Sequence, residues 1–255
     1  MGILVRNNKV ISAGGKILYS RIPDPFELPN LKLYLSATRM VQQADESLVP
    51  SFADFSGFGY NATQATTGLQ PKFKTSQFGA NAGILFDGID DILTFTGGAL
   101  NIFQNINQFT VMVLAKRSAL SVNAPVVQFA QSVGGFSRFV IQFTSGGNIQ
   151  IAIRMLDSTI SAISITSPSN DLNTHLIQCT AISNILYMFV DGVFSGSIAM
   201  DSSTSSNTAS SAAYVGSLPS TFGSVIINGI TVSQSFSSNS VLQAQYRGYL
   251  QRGYL

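Results

Sequence analysis

The sequence predicts an all-β fold, a two-sheet antiparallel jelly-roll sandwich with a short extended N-terminal arm. Three observations predict it. Apolar and polar residues alternate over short runs, which is the period of a strand with one buried face. Glycine, asparagine and aspartate punctuate these runs at close spacing, as in hairpin connections. Hydrophobic residues make up 45% of the chain, which is enough for a packed core and argues against disorder.

Residues 1–29 form the predicted arm. Short β-prone pieces are interrupted there by Gly14 and Gly15, and the prolines between Ile22 and Pro29 impose an extended path. Each proline fixes its own φ and disfavours helix at the residue before it. Such a segment cannot bury a core of its own, so we expect residues 1–29 to attach to a partner. Residues 30–255 are then the jelly-roll domain.

From Leu31 onward the pattern predicts short strands, and two of them are Gly83–Phe86 and Ile92–Phe95, on either side of an aspartate-rich turn. Phe109–Ala115 is almost continuously apolar, which predicts a central strand covered on both faces. Arg138–Thr144 and Asn148–Met155 alternate clearly and are expected to pair through the glycines that separate them, because glycine tolerates the positive φ of a tight hairpin.

The remaining elements lie in the last third of the chain. Ser183-Asn184 and Asp191-Gly192 are hairpin turns by the same reasoning. Asp201–Ala212 is rich in serine and threonine, and we expect a long polar surface loop there. Ser240–Leu250 has a weak helical periodicity, which predicts a short C-terminal helix.

Two motifs carry a resemblance to a known family. The first is Asp-Phe-Ser-Gly-Phe-Gly-Tyr-Asn-Ala-Thr at residues 54–63, and the second is Phe-Asp-Gly-Ile-Asp-Asp at residues 86–91. A Phe-Val-Asp-Gly turn follows at residues 189–192. Together they resemble the laminin-G-like, concanavalin-A-like lectin/glucanase domains, of the type found in bacteriophage virion proteins. The resemblance runs from about Leu31 to Leu255, and it implies a jelly-roll sandwich that binds or builds more often than it catalyses.

Composition excludes several function classes. Charged residues are only 10% of the chain, against about 25% in typical proteins, and the net charge is +2. No dense basic cluster is present, so we expect no nucleic-acid partner. No apolar run approaches the ~20 residues of a bilayer span, so we expect no membrane insertion.

The N-terminus lacks the apolar stretch of a secretory signal, and the one cysteine precludes an internal disulfide. These features favour a protein made in the host cytoplasm and displayed by assembly into a particle.

The first motif raises the question of a calcium site. Carboxylate and amide oxygens of Asp54 and Asn61, with loop carbonyls, are ligand types that calcium accepts. A single carboxylate supplies few of the oxygen ligands that calcium needs. The same residues also suit a turn in which Asp54 and Asn61 bond to backbone while Gly57 and Gly59 adopt positive φ. We favour the turn and expect no cofactor, with calcium as the alternative.

Two further groups have the residue types of catalytic sites. Asp87, Asp90 and Asp91 could raise one another's pKa for acid–base work, but they also suit a turn in which the aspartates bind loop amides. His175 and Cys179 lie on one face of a predicted strand, about 13 Å apart, which is too far for a Cys/His dyad. We expect a core thiol and an imidazole satisfied by a partner.

Hydrolysis of glycans needs two carboxyl groups facing one side of a strand, about 5–5.5 Å apart in retaining enzymes. The chain has only two glutamates, Glu27 in the arm and Glu46 in a loop, so we predict that it is not an enzyme. A sugar site would combine an aromatic platform with amides on rim loops. The residues with this chemistry are Phe58, Tyr60, Tyr214, Asn123 and Asn207.

The leading functional hypothesis is a non-enzymatic structural protein of a virus particle, namely a capsid-decoration, head-fibre or tail-associated protein of a bacteriophage. In this hypothesis residues 1–29 bind other virion proteins, and the domain lies on the virion surface in several copies or as a homo-oligomer. Many copies would permit weak binding of surface glycans through avidity. The alternative is a carbohydrate-binding module of a bacterial cell-surface system.

Overall fold

The computed structural model describes residues 4–6, 9–11, 17–19, 28–40, 43–130, 137–157, 163–218 and 220–255. Within the N-terminal segment, strands β1 (Leu4–Arg6), β2 (Lys9–Ile11) and β3 (Ile17–Tyr19) form a small antiparallel sheet. The extended path predicted between Ile22 and Pro29 lies mostly outside the described residues. Attachment of residues 1–29 to a partner stays a prediction.

The regular structure in the rest of the described chain is almost entirely β-strand. Its strands are β4 (Leu31–Ser36), β5 (Ser51–Phe52), β6 (Ala62–Thr63), β7 (Lys72–Phe78), β8 (Asn81–Asp87), β9 (Leu93–Phe95), β10 (Gln108–Arg117), β11 (Ala124–Ala130), β12 (Ser137–Phe143), β13 (Asn148–Ile153), β14 (Ile163–Pro168), β15 (His175–Ile182), β16 (Ile185–Val190), β17 (Val193–Ala199), β18 (Ala212–Val215), β19 (Ser217–Leu218), β20 (Thr221–Phe222) and β21 (Ser224–Ser233). One α-helix follows, α1 (Asn239–Gln251), and short 3-10 turns cover Ala37–Arg39, Thr67–Leu69 and Gly97–Asn101.

Apart from β19 and β20, which pair only with each other, these strands form two large antiparallel sheets, which confirms the predicted all-β sandwich. The first sheet has the order β17-β16-β15-β10-β21-β8-β7, and β4 also pairs with β21. The second has the order β14-β13-β12-β11-β18-β9-β6-β5. Strand β10 lies between β15 and β21 and contains the apolar run Phe109–Ala115, so the predicted central strand is confirmed.

The core lies between the inner faces of the two sheets and is rich in phenylalanine. Phe103 stacks on Phe139 with ring centroids 4.8 Å apart. It also meets Phe109 and Phe129 edge to face, at 5.4 and 5.0 Å. All four rings are buried, and offset-stacked and edge-to-face pairs of this kind add about 0.5–1.5 kcal/mol each beyond their burial. A single connected cluster therefore binds the sheets together.

The predicted hairpin turns are confirmed by their backbone conformations. Gly147, between β12 and β13, has φ +78°. Ser183 and Asn184 join β15 to β16 with φ of +50° and +72°, and Asp191 and Gly192 join β16 to β17 with +52° and +72°. Two successive positive φ values define the hairpin turns whose twist matches that of the strands.

The segment Asp201–Ala212 differs from the prediction in part. It does connect β17 to β18 without regular structure, but Ser205 and Ser210 are buried. The Ser205 hydroxyl accepts a hydrogen bond from the Ile106 N–H at 2.8 Å. Serine side chains are small enough to be buried at an edge of the core, which composition alone does not indicate.

Helix α1 confirms the predicted C-terminal helix and packs on the outer face of the first sheet. Its Tyr249 belongs to a second apolar cluster with Phe78, Leu114, Leu176 and Ile226. Within the described part of the chain, no helix has the length and apolar character to cross a membrane.

Candidate functional site

The first motif forms a loop that crosses between the two sheets. It leaves β5 and returns to β6, both in the second sheet, and between them Asp54 forms a bridge with Leu35 of β4 in the first sheet. Gly57 and Gly59 take φ of +95° and +72°, conformations that favour glycine. The loop therefore closes one edge of the sandwich.

The Asp54 carboxylate is surrounded by hydrogen-bond donors. Oδ1 accepts from the N–H groups of Tyr34 and Ser56, both at 2.9 Å, while Oδ2 accepts from the Tyr60 N–H at 2.9 Å and the Ser56 hydroxyl at 2.7 Å. The Asn61 Oδ1 accepts from the Asp54 N–H at 2.8 Å. Donors aimed at a carboxylate compete with a cation for its oxygens, so this geometry favours the turn interpretation over a calcium site.

The predicted sugar-binding residues are distributed over several parts of the sandwich. Phe58 and Tyr60 do lie together, with rings stacked at 5.4 Å, and the Lys32 ammonium is 4.8 Å from the Phe58 ring centre. Tyr214 lies on β18, beside Thr94 of β9 and Gln128 of β11 in the second sheet. The platform predicted at Phe58 already contacts a ring and an ammonium group of the protein itself.

The two predicted amide residues each take part in a contact between different loops. Asn123 Oδ1 accepts from the Ser145 N–H at 2.8 Å, between the β10–β11 loop and the β12–β13 hairpin. The backbone carbonyl of Asn207 accepts from Gln104 Nε2 at 2.6 Å. Neither of these hydrogen bonds involves Phe58 or Tyr60.

The second motif brings three carboxylates together. The ligand oxygens of Asp87, Asp90 and Asp91 all lie within 4.8 Å of one another. Asp91 Oδ2 accepts from the Asp87 N–H at 2.9 Å, and Asp87 Oδ1 accepts from the Ile89 N–H at 2.8 Å, so the predicted bonding of aspartates to loop amides is confirmed. Burial, with the neighbouring charges of Asp87 and Asp90, raises the pKa of Asp91 to about 6.

His175 has partners on both ring nitrogens. Nδ1 is 2.8 Å from Asp191 Oδ2, and Nε2 is 2.7 Å from Ser169 Oγ and 3.0 Å from Asp171 Oδ1. Burial lowers the pKa of His175, but the hydrogen bonds and charges of Asp191 and Asp171 outweigh it and hold the pKa above its ordinary value. Ser169, His175 and Asp191 thus form a row of hydrogen bonds, with Ser169 buried and Asp171 sharing Nε2 with the Ser169 hydroxyl.

Cys179 is fully buried in the core, and burial raises the pKa of its thiol far above the ordinary value. The burial of Cys179 confirms the expected core thiol, and the hydrogen bonds of His175 confirm the expected imidazole with partners. Both residues lie on β15, as the sequence predicts.

A cleft of about 240 Å³ lies at a fork in the first sheet. One edge of β21 pairs with β8 through residues 224–227 and with β4 through residues 229–233. Asn228 lies between the two pairings, and its Nδ2 donates to Thr38 Oγ1 at 2.9 Å and to the Ala82 carbonyl at 2.7 Å. The cleft opens beside this amide, between the 3-10 turn after β4 and the β7–β8 hairpin.

The cleft is polar but uncharged. Its described lining consists of hydroxyl and amide side chains with small or apolar residues: Thr38, Gln43, Thr75, Ser76 and Asn81 in the first group, and Ala37, Met40, Phe73, Ala80 and Ala82 in the second. Nearby charges pair with one another, since Lys74 and Lys72 both contact Glu46. The volume is below the roughly 300–1,000 Å³ of sites for drug-sized ligands, so the cleft suits a small ligand or the end of a longer one.

Sequence reasoning did not find these residues. Thr38 and Asn228 are 190 positions apart, and Ala82 and Asn228 are 146 apart. Serine, threonine and glutamine are common throughout the chain, so no local motif distinguishes the ones that line the cleft. Only the shared edge of β21 brings them together.

Comparison with known proteins supports the fold. No protein-family model matches the chain, and no curated protein matches it at a significant level. Among solved structures, Trypanosoma rangeli sialidase is similar with a TM-score of 0.61 at 13% identity, covering 93% of this chain and 35% of the sialidase chain. The receptor-binding domain of botulinum neurotoxin C/D mosaic serotype gives 0.61 at 11%, covering 86% of this chain and 51% of that one.

A botulinum neurotoxin type C structure gives a TM-score of 0.57 at 11% identity, with coverage of 86% of this chain and 51% of the other. The chain thus spans between about a third and about half of the structures that it resembles. At these identities the similarity establishes a shared β-sandwich fold.

Proposed function

We propose that this chain is a non-enzymatic, glycan-binding β-sandwich that is displayed on the surface of a virus particle. The observation that carries the binding part is the uncharged cleft beside Asn228, with its hydroxyl and amide lining. The binding domains among the similar structures support it, since botulinum neurotoxin type C depends on interaction with two ganglioside molecules to enter cells.

The chemistry of the cleft favours a neutral sugar. Hydroxyl and amide groups both donate and accept hydrogen bonds, so they can match the hydroxyls of a saccharide without burying a charge. Phe73 and Met40 provide an apolar wall against which the C–H face of a sugar ring can pack. A site with one small apolar wall and few buried hydrogen bonds binds weakly, which many copies on one particle would offset.

Several carboxylates among the described residues are engaged by the protein itself, which supports a role without catalysis. Glu46 is engaged by Lys72 and Lys74, and Asp54 by the donors of its loop. The carboxylate cluster of the second motif, Asp87, Asp90 and Asp91, bonds to its own turn amides. None of these groups lines the cleft, where a glycosidase would need a carboxyl pair around the scissile bond.

Blocking the cleft tests the binding part of the proposal. Ala80 is exposed and lines the cleft, so Ala80→Trp fills it without removing a hydrogen-bonding side chain. Ala199→Trp, at an exposed position on β17, is the matched control. On a glycan array probed with the multimerised protein, we expect wild type and the control to bind a neutral glycan and Ala80→Trp to lose at least about tenfold in affinity. Absence of binding by the wild type to every glycan, or full binding by Ala80→Trp, would refute the glycan site.

Removing residues 1–29 tests the attachment part. We expect residues 30–255 to remain folded, because the core lies within the two sheets, and to lose incorporation into the particle. Normal incorporation of the shortened protein would contradict attachment through the arm. If the source is instead a bacterial cell-surface system, the shortened protein should still bind polysaccharide and no particle should contain it.

A further inference from the structure

His175 joins separate segments at one end of the sandwich. The β14–β15 loop contributes Ser169 and Asp171 to Nε2, and the β16–β17 turn contributes Asp191 to Nδ1. The other oxygen of Asp191 accepts from the Leu176 N–H at 2.8 Å, which fixes that carboxylate toward the ring. The imidazole therefore forms a bridge between the loop and the turn.

The surrounding charges balance only when the ring is protonated. Arg117 of β10 is 1% exposed, lies 5.0 Å from the Phe143 ring, and donates through Nη1 to the Thr144 carbonyl. Its Nε and Nη2 have no hydrogen-bond partner among the described residues, and Asp171 supplies the negative charge that acts on it. Arg117 and protonated His175 thus oppose Asp171 and Asp191, while loss of the imidazole proton leaves one negative charge without its partner beside a buried ring.

We propose that His175, Asp171 and Asp191 form a pH-sensitive latch, which holds the loop of residues 169–173 against the β16–β17 turn while the imidazole is protonated and loosens the loop when the proton leaves. A neutral ring can donate through only one nitrogen, so one of the two carboxylates then faces a lone pair and loses its hydrogen bond. Asp171 lies on the more exposed side and belongs to the loop, so the loop is the part that moves.

The sign of the pH dependence follows from the direction of each pKa. The pKa of His175 is raised in the folded state, so the latch contributes fully below the ordinary histidine value of 6.5 and its contribution is lost as pH rises through the higher folded value. Burial raises the pKa of Asp171, but the Asn173 N–H and His175 outweigh it and hold the pKa below its ordinary value. The contribution of Asp171 to stability is therefore lost only in strong acid, where the pH falls through its lowered folded pKa.

The experiment uses the fact that His175 is the only histidine in the chain. Its imidazole protons give one NMR titration, and hydrogen exchange of the Asn173 and Leu176 amides, which donate to Asp171 and Asp191, reports on the latch. We expect a titration above that of free histidine. Over about pH 5 to pH 9 the protection factor of the Asn173 amide should fall roughly tenfold or more at the same midpoint, the size expected for a lost hydrogen bond to a charged group, whereas the Leu176 amide should stay protected because Asp191 keeps its imidazole hydrogen bond.

Four variants give the proposal its controls. Asp171→Asn and Asp191→Asn should each lower the measured pKa of His175, and His175→Gln should leave the Asn173 amide poorly protected at every pH. Asp90→Asn, in a different carboxylate cluster, should change neither measurement. If His175→Gln does not fold, Asp171→Asn still tests the latch, because that carboxylate is partly exposed. A titration at or below that of free histidine, or a protection factor of Asn173 that does not follow it, would overturn the latch.

Discussion

Replacing Asp91 by asparagine should stabilise the protein at neutral pH. Asp91 is 6% exposed and its carboxylate lies close to those of Asp87 and Asp90. Its pKa rises from 3.8 to about 6, chiefly through burial, so the folded state resists the charge that the unfolded state accepts. A rise of that size corresponds to about 3 kcal/mol, and screening by solvent at this loop reduces the expected gain to about 1–2 kcal/mol. The asparagine side chain would retain an oxygen to accept the Asp87 N–H.

The pH dependence makes this prediction specific. Because the folded pKa of Asp91 is raised, the penalty is present above about pH 6 and disappears below about pH 4. Urea unfolding with chelator present, at pH 7 and pH 4, measures it, since a bound cation would mask the repulsion. An increase of roughly 3–6 °C in the thermal midpoint should accompany the gain at pH 7. Asp90→Asn, at a less buried carboxylate, should give a smaller effect. An Asp91→Asn protein that is less stable at pH 7, or equally stabilised at both pH values, would refute the reasoning.

The remaining predictions concern the edge loop and the core. Asp54→Ala leaves three N–H groups without their acceptor and removes one of the two acceptors of the Ser56 hydroxyl, so urea unfolding should show a loss of at least about 2 kcal/mol, with Asp90→Ala, at a partly exposed carboxylate, as a comparison that loses less. Phe103→Ala removes the centre of the aromatic cluster and should cost about 3–5 kcal/mol in the same assay, whereas a loss below about 1 kcal/mol would contradict its central position. The Cys179 thiol should resist alkylation in the native protein and react after unfolding, and rapid native reaction would show that β15 is exposed.

Much of the fold could be predicted because its signals are local. Alternation over Arg138–Thr144 and Asn148–Met155 predicted β12 and β13 to within a residue or two. The turns at Ser183-Asn184 and Asp191-Gly192 followed from residues that tolerate positive φ. Both kinds of signal depend only on residues that are neighbours in the chain, so they can be recognised without knowing which strand is the pairing partner.

The candidate site could not be predicted from such local signals. Phe58 and Tyr60 have the chemistry of a sugar platform, yet the structure stacks them on each other and places Lys32 against Phe58. The cleft forms instead where β4 and β8 share an edge of β21, with Asn228 between them. Strand pairing across long sequence separations is set by the packing of the whole core, so a list of candidate side chains could not show which of them converge.

The sequence by itself determined the class of fold, the positions of the main hairpins, the C-terminal helix and the burial of Cys179, because periodicity and turn chemistry act over a few residues. The tertiary structure decided which polar groups meet. Asp54 satisfies a loop that joins the two sheets, His175 lies between carboxylates of a loop and a turn, and the cleft opens beside Asn228. These arrangements depend on sheet order, which arises from the packing of distant strands around one core.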